Sequence, residues 1–420
     1  MSSSGPSQAG QGALKRMVIA ILSTVLWPVA QLLFVARIRF LVGGNVLARI
    51  GHTALAPDVY VKSALLGLRR AHRGVLLAPR GSAINPCLLH YWNRYFIVID
   101  QPLLVMLLRI FERMPRLQYD LGFLMLPDRG AVKIIPAIYP VQRRYEAAFG
   151  EQPLLQLSEA DRLRGRRRLQ ELGVPDGAWF VCLHVREQGH LPHLAYHSYR
   201  NSDIMTYLPA VEAIVERGGW VIRMGDSSMT PLPAIRHVVD YVHSGLQTDW
   251  MDIVCFATCR WLLGDTSGPF VVSFVFGVPC ATVNFISIGH APFSVRDLWI
   301  PKRLRSVRED RDLSFVEVLH SKLRAFSRTD EYEAAGVAWV NSAPEEIREV
   351  AVEMMDRLDG CAAYQSDDER FQQKFKSLLA ADPVWGTSAR VGRDFLRRHS
   401  RLLEGDAIPK SESELLNVVP

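Results

Sequence analysis

Four short apolar runs between Trp179 and Phe285 each give way to side chains that can bind an anion or move a proton. His184, Arg186 and Glu187 follow the first, Arg223, Gly225 and Asp226 the second, and Asp265, Thr266, Ser267 and Gly268 the third, while Asn284 closes the fourth. Arginine so placed can clamp a phosphate through two parallel N–H bonds, which lysine does less well. Glu187 could be a salt-bridge partner of Arg186 or a general base. The run Gly-Asp-Thr-Ser-Gly stands ahead of an apolar helical stretch. Unpaired backbone donors and the helix dipole there favour an anion, with phosphate or pyrophosphate the expected occupant. In the competing reading Thr266 or Ser267 simply caps that helix. Asp226 and Asn284 suit contacts to sugar or ribose hydroxyls.

The segments that must position these groups are AWFVCLHVRE, GGWVIRMGD, WLLGDTSGPF and GVPCATVNF, which read as buried strands. Between them IMTYLPAVEAIVER and DWMDIVCFATCR carry apolar residues at helical spacing. Strands alternating with helices predict a parallel sheet, whose ligands bind beyond the carboxyl ends of the strands. In HSYRNSDI, Asn201 or Ser202 suits a helix cap, and Arg200 and Asp203 could face the ligand. Residues 41 to about 150 repeat the α/β alternation. There RIGH, Arg49 to His52, reads as a turn after a strand, and His52 titrates in the range a general base needs to activate an acceptor hydroxyl. A purely structural histidine is the alternative, and Asp100 and Glu187 are rival bases.

A chain of 420 residues exceeds one ordinary core. The expected organisation is two Rossmann-like domains facing a cleft: a tail and hydrophobic anchor helix over 1–40, an acceptor domain over 41–155, a donor domain over 156–370, and C-terminal helices over 371–420 that cross back. Met17 to Ala36 is an uncharged stretch long enough to enter a bilayer, flanked by Lys15, Arg16, Arg37 and Arg39. It reads as an uncleaved anchor that spans once or lies in the interface, or else as a buried helix. With 49 Lys and Arg against 43 Asp and Glu the net charge is +6. The cations cluster at 161–173, 301–305 and 390–401, which fits anionic lipid, phosphorylated ligands or plain solvated helix faces. No nucleic-acid motif accompanies them, so no nucleic-acid partner is expected. The six cysteines sit mostly in apolar runs without a C-x-x-C, which reads as core packing in a reducing compartment.

P-loop, zincin and G-x-G-x-x-G signatures are absent, and Asp310-Arg311-Asp312 sits in a run of alternating charges that makes a poor metal site. Taken together, RIGH, HVRE, HSYRNSDI, YLPAVEAIVERGGWVIRMGD, VVDYV, DWMDIVCFATCRWLLGDTSGPF and FGVPCATVNF resemble bacterial glycosyltransferases of the two-domain GT-B class encoded with surface-polysaccharide genes. Singly, DTSG before G-V-P also looks like the donor loop of heptosyltransferases, and H-x-R looks like fucosyltransferases. The resemblance implies a nucleotide-sugar donor on the second domain and a glycan or lipid-linked acceptor on the first. It also implies no obligatory metal, no cofactor beyond that cosubstrate, inversion at the anomeric carbon, and work at the cytoplasmic face of the inner membrane. Arg186, Arg223, Gly225, Asp226, Asp265 to Gly268 and Asn284 would hold the donor, His52 or Glu187 would be catalytic, and Arg49, Arg200, Asn201 and Asp203 would serve the acceptor or a secondary role. A pyruvyltransferase on a similar scaffold and a degenerate, membrane-docked assembly partner are the alternatives.

Overall fold

The computed structural model describes residues 25–43, 46–126, 130–187, 192–380 and 386–404. The chain divides into two compact units, Met1–Ile134 and Ile135–Pro420.

In the first unit α1 (Trp27–Val35) leads into β1 (Ile38–Val42), α2 (Ile50–Leu65), β2 (Arg73–Leu77), α3 (Pro86–Trp92), β3 (Ile97–Ile99), α4 (Pro102–Glu112) and β4 (Gln118–Asp120). The strands form a parallel sheet in the order β3-β2-β1-β4. Side chains alternate across it. Phe40, Val75 and Leu77 join Ala30 of α1 and Val105 and Phe111 of α4 in one core cluster. On the other face, Gly74 lies against Tyr60 of α2, Leu41 and Phe96. RIGH is therefore no terminal turn: Arg49 is the N-cap of α2 and His52 stands in its first turn. Only the end of the expected anchor falls among the described residues, as the nine-residue α1. Among the described residues no helix is long and apolar enough to cross a membrane. A two-stranded hairpin, β5 (Phe123–Leu126) and β6 (Gly130–Lys133), closes the unit.

The second unit opens with α5 (Ile134–Phe149) and the arginine-rich α6 (Glu159–Glu171). Its sheet then winds through β7 (Phe180–His184), α7 (Leu208–Glu216), β8 (Trp220–Arg223), β9 (Val238–Asp240), α8 (Asp249–Thr258), β10 (Trp261–Gly264), α9 (Gly268–Val275), β11 (Cys280–Phe285) and β12 (Leu298–Pro301). A small antiparallel sheet follows, made of β13 (Arg303–Ser306), β14 (Arg311–Asp312) and β15 (Val337–Val340). Helices α10 (Phe315–Leu319) and α11 (Thr329–Ala334) lie between β14 and β15, and α12 (Pro344–Leu358), α13 (Ser366–Ala380), β16 (Arg390–Val391) and α14 (Arg393–Arg398) follow.

The large sheet is parallel throughout, in the order β16-β12-β11-β10-β7-β8-β9. Strands β7, β10 and β11 are buried along their whole length, which is why they read as unbroken apolar runs. Gly218 and Gly277, at φ +81° and +78°, end α7 and α9 in the left-handed conformation that glycine takes without strain. The chain builds outward from β7 through β8 to β9, then returns to β10 and builds the other way. The β7/β10 pair is thus the topological switch point, the place where such sheets bind ligands. Here the strands run close: a Cβ on Gly264 would lie 2.8 Å from the His184 carbonyl oxygen. Gly264→Ala is therefore expected to destabilise the protein by about 1–3 kcal/mol, read as a lowered urea midpoint.

Candidate functional site

Asp265 follows β10 and is fully buried. The Arg186 N–H, just beyond β7, donates to its Oδ2 at 2.6 Å, stitching the two strand ends together. Burial pushes the carboxyl up to about 6, opposed by that N–H bond and by the cations of Arg200, Lys302 and Arg186. Arg186 Nε donates to Asn201 Oδ1 at 3.1 Å. Arg200 donates through Nε to the Thr266 carbonyl at 2.8 Å. Lys302, directly after β12 and almost wholly buried, donates through Nζ to the carbonyls of Tyr199 (2.9 Å) and Asn201 (2.7 Å). Desolvation lowers its pKa to about 7, Asp265 working against the drop and Arg200 with it. His290 is likewise held down, to about 4, by burial and by Arg200. The carboxyl ends of β7, β10 and β12 thus gather three cations about one carboxylate that itself resists ionisation.

The helix that follows is not capped in the competing way. Ser267 occupies the N-cap of α9 but makes no side-chain cap bond; its Oγ lies 3.0 Å from His184 Nδ1. Thr266 Oγ1 accepts the Ile286 N–H at 2.8 Å, tying β10 to β11. Gly268 begins the helix, so its first turn faces the same strand ends as Arg186 and Asp265.

The other sequence candidates take distinct places. Arg223 is fully buried; its Nη2 donates to Glu187 Oε2 at 2.5 Å, and Asp240 Oδ1 stands 3.8 Å from Nη1. Glu187 also accepts the Thr230 N–H at 3.1 Å. The two residues form an ion pair that anchors the β8 loop to the end of β7. Asp226 accepts the Ser228 N–H at 2.9 Å in a tight turn after β8, while the Gly225 carbonyl accepts from Gln247 Nε2 at 2.8 Å. Asn284 sits at φ +53° on an irregularity in β11. It is buried, donating to the Tyr207 hydroxyl at 3.2 Å and accepting the Ser342 N–H at 2.6 Å. Asp203, not Asn201 or Ser202, caps the next helical turn, accepting the Met205 N–H at 2.9 Å. In the first unit Arg49 and His52 lie just past the carboxyl end of β1, and Asp100 is 3.5 Å from Arg80 beyond β3.

Lys302 and His290 escaped sequence reasoning. Lys302 lies in Pro-Lys-Arg-Leu-Arg, which reads as a surface cluster; a strand ending at Pro301 was the signal that it could turn inward. Its neighbours Arg303 and Arg305 pair with Asp312 and Asp310, so the D-x-D is an ion-paired hairpin. The other basic runs are also engaged. Arg390, Arg397 and Arg398 bind Glu369, Asp368 and Glu349 at 2.6–2.7 Å, and Arg164 stacks over Trp250 at 4.1 Å. Among the described residues no group of three His, Cys, Asp or Glu gathers as a metal site. Four of the cysteines are buried, as core packing requires.

No protein-family model matches the chain, and no curated protein is detectably similar in sequence. Among solved structures, a glycosyl transferase family 9 protein from Veillonella parvula aligns at a TM-score of 0.40 and 10% identity over 63% of this chain and 85% of its own. The E. coli ADP-heptose LPS heptosyltransferase II aligns at 0.36 and 12% identity over 58% and 84%. The dodecameric iron-containing heptosyltransferase TibC, in complex with ADP-D-beta-D-heptose, aligns at 0.35 and 9% identity over 61% of each chain. These are partial matches, and the chemistry of the strand ends carries the functional reading.

A carboxyl raised from 3.8 to about 6 favours the native state while protonated. Its stabilising contribution is complete below the unfolded pKa and is lost as pH climbs through the folded one. The stability of wild type minus that of Asp265→Asn is therefore expected to fall by about 2–3 kcal/mol between pH 4 and pH 7, measured by urea denaturation at each pH.

Proposed function

We propose that the second unit binds the diphosphate of a nucleotide-sugar donor at the carboxyl ends of β7, β10 and β12, and that the protein transfers the sugar to an acceptor hydroxyl. The observation that carries this reading is the grouping of Arg186, Arg200 and Lys302 around the buried Asp265. Basic side chains gathered at strand ends create a positive potential that favours an anion. A diphosphate is such an anion, with the first-turn amides of α9 adding donors.

In the proposed reaction the bond between the anomeric carbon and the diphosphate oxygen breaks, and the leaving diphosphate keeps the electron pair. Arg186, Arg200, Lys302 and the α9 N-terminus stabilise the charge that builds on it, as a divalent ion would otherwise do. The acceptor oxygen bonds to the anomeric carbon, with inversion if displacement is direct, and its proton passes to a base. Asp226, beyond β8, is proposed to contact ribose or sugar hydroxyls. The acceptor is proposed to be a surface glycan or its lipid-linked precursor.

A thermal-shift panel of UDP, GDP, ADP and CMP, each with its sugars, tests this directly, because ligand that binds only the native state raises stability by mass action. One nucleotide family should raise the midpoint, and Arg186→Ala should weaken that ligand by about 10- to 100-fold, the loss typical of charge-assisted bonds. No response to any nucleotide from the folded protein, or stabilisation by phosphoenolpyruvate instead, would refute the donor assignment.

A further inference from the structure

The first unit carries an apolar surface that its own core does not use. Helix α4 buries Val105 and Phe111 against the sheet, with Phe111 stacked on Phe40 at a centroid distance of 6.5 Å. Its outer side is apolar as well: Leu103, Met106 and Leu107 are 64%, 64% and 56% exposed. Helix α1 rests on the same core cluster through Ala30 and likewise turns Trp27, Leu32 and Val35 outward, Trp27 58% exposed. Soluble chains rarely leave such neighbouring large side chains in water. Around them stand exposed Arg37, Arg109, Arg113 and Arg116, and Arg39 stacks on Phe34 at 4.2 Å. Arg109 and Arg113, four residues apart, line one margin of α4.

We propose that this α1/α4 face seats in the headgroup region of an anionic membrane. The eleven-residue α4 is too short to cross a hydrocarbon core, which needs about 20 residues, so it would lie along the interface. An apolar stripe rimmed by arginine, with an exposed tryptophan, is the pattern of an interfacial helix. The same rim argues against a second copy of the chain, since a two-fold contact would set arginines against arginines. The proposal concerns the first unit's surface and stands whether or not the donor assignment holds.

The full-length protein is expected to co-sediment with vesicles of phosphatidylglycerol and phosphatidylethanolamine more than with pure phosphatidylcholine. The triple variant Leu103→Gln, Met106→Gln, Leu107→Gln, changed only at exposed positions, should bind those vesicles roughly tenfold or more weakly at an unchanged urea midpoint. A Met106→Trp variant should gain quenching by brominated lipid over wild type. Wild-type binding by the triple variant together with no added quenching at position 106 would overturn the proposal. So would light scattering that finds a wild-type dimer which the triple variant splits.

Discussion

The bond from the Arg186 N–H to the buried Asp265 carboxylate fixes the geometry on which the site depends. It joins β7 and β10 at the one place where the winding of the sheet reverses, and Gly264 lets the two backbones come close enough to make it. A carboxylate there is costly to bury. The neighbouring Arg200, Lys302 and Arg186 offset part of that cost. One buried acid thus organises the strand ends at which the donor site is proposed.

Residues near this bond divide into those that face the crevice and those that hold it open. Arg223 and Glu187 look like ligand-binding groups by position, yet each serves the other, and the pair fastens the β8 loop. Asn284 fastens β11 to Tyr207 and to the residues before α12. Such fully bonded polar groups add rigidity to the positions around them. Arg186, Arg200 and Lys302 donate to neutral oxygens of Asn201, Thr266 and Tyr199 in the contacts described.

Most of the central sheet was legible in the sequence because its strands are buried on both faces and end in polar clusters. The switch point was not, because it depends on the strand order, which the pattern does not specify. Strands toward the sheet margins were harder: β12, β16 and β9 are two to four residues long and carry little periodic signal. Side-chain partners were harder still. Within Pro-Lys-Arg-Leu-Arg only the strand that ends at Pro301 sets the inward Lys302 apart from the arginines beside it, and that strand is defined by its pairing with β11. Whether Asp203 or Asn201 would cap a turn depends on a backbone angle that one sequence does not specify. His52 was read into a turn because Gly51 suggested one, whereas the helix begins a residue earlier, at Ile50.

The most direct test is a crystal structure of the protein soaked with whichever nucleoside diphosphate stabilises it. Phosphate oxygens within hydrogen-bond reach of Arg186, Arg200 or Lys302 and of the first turn of α9 are the expected result. A diphosphate bound elsewhere, with these strand ends empty, would contradict the assignment of the crevice between β7 and β10.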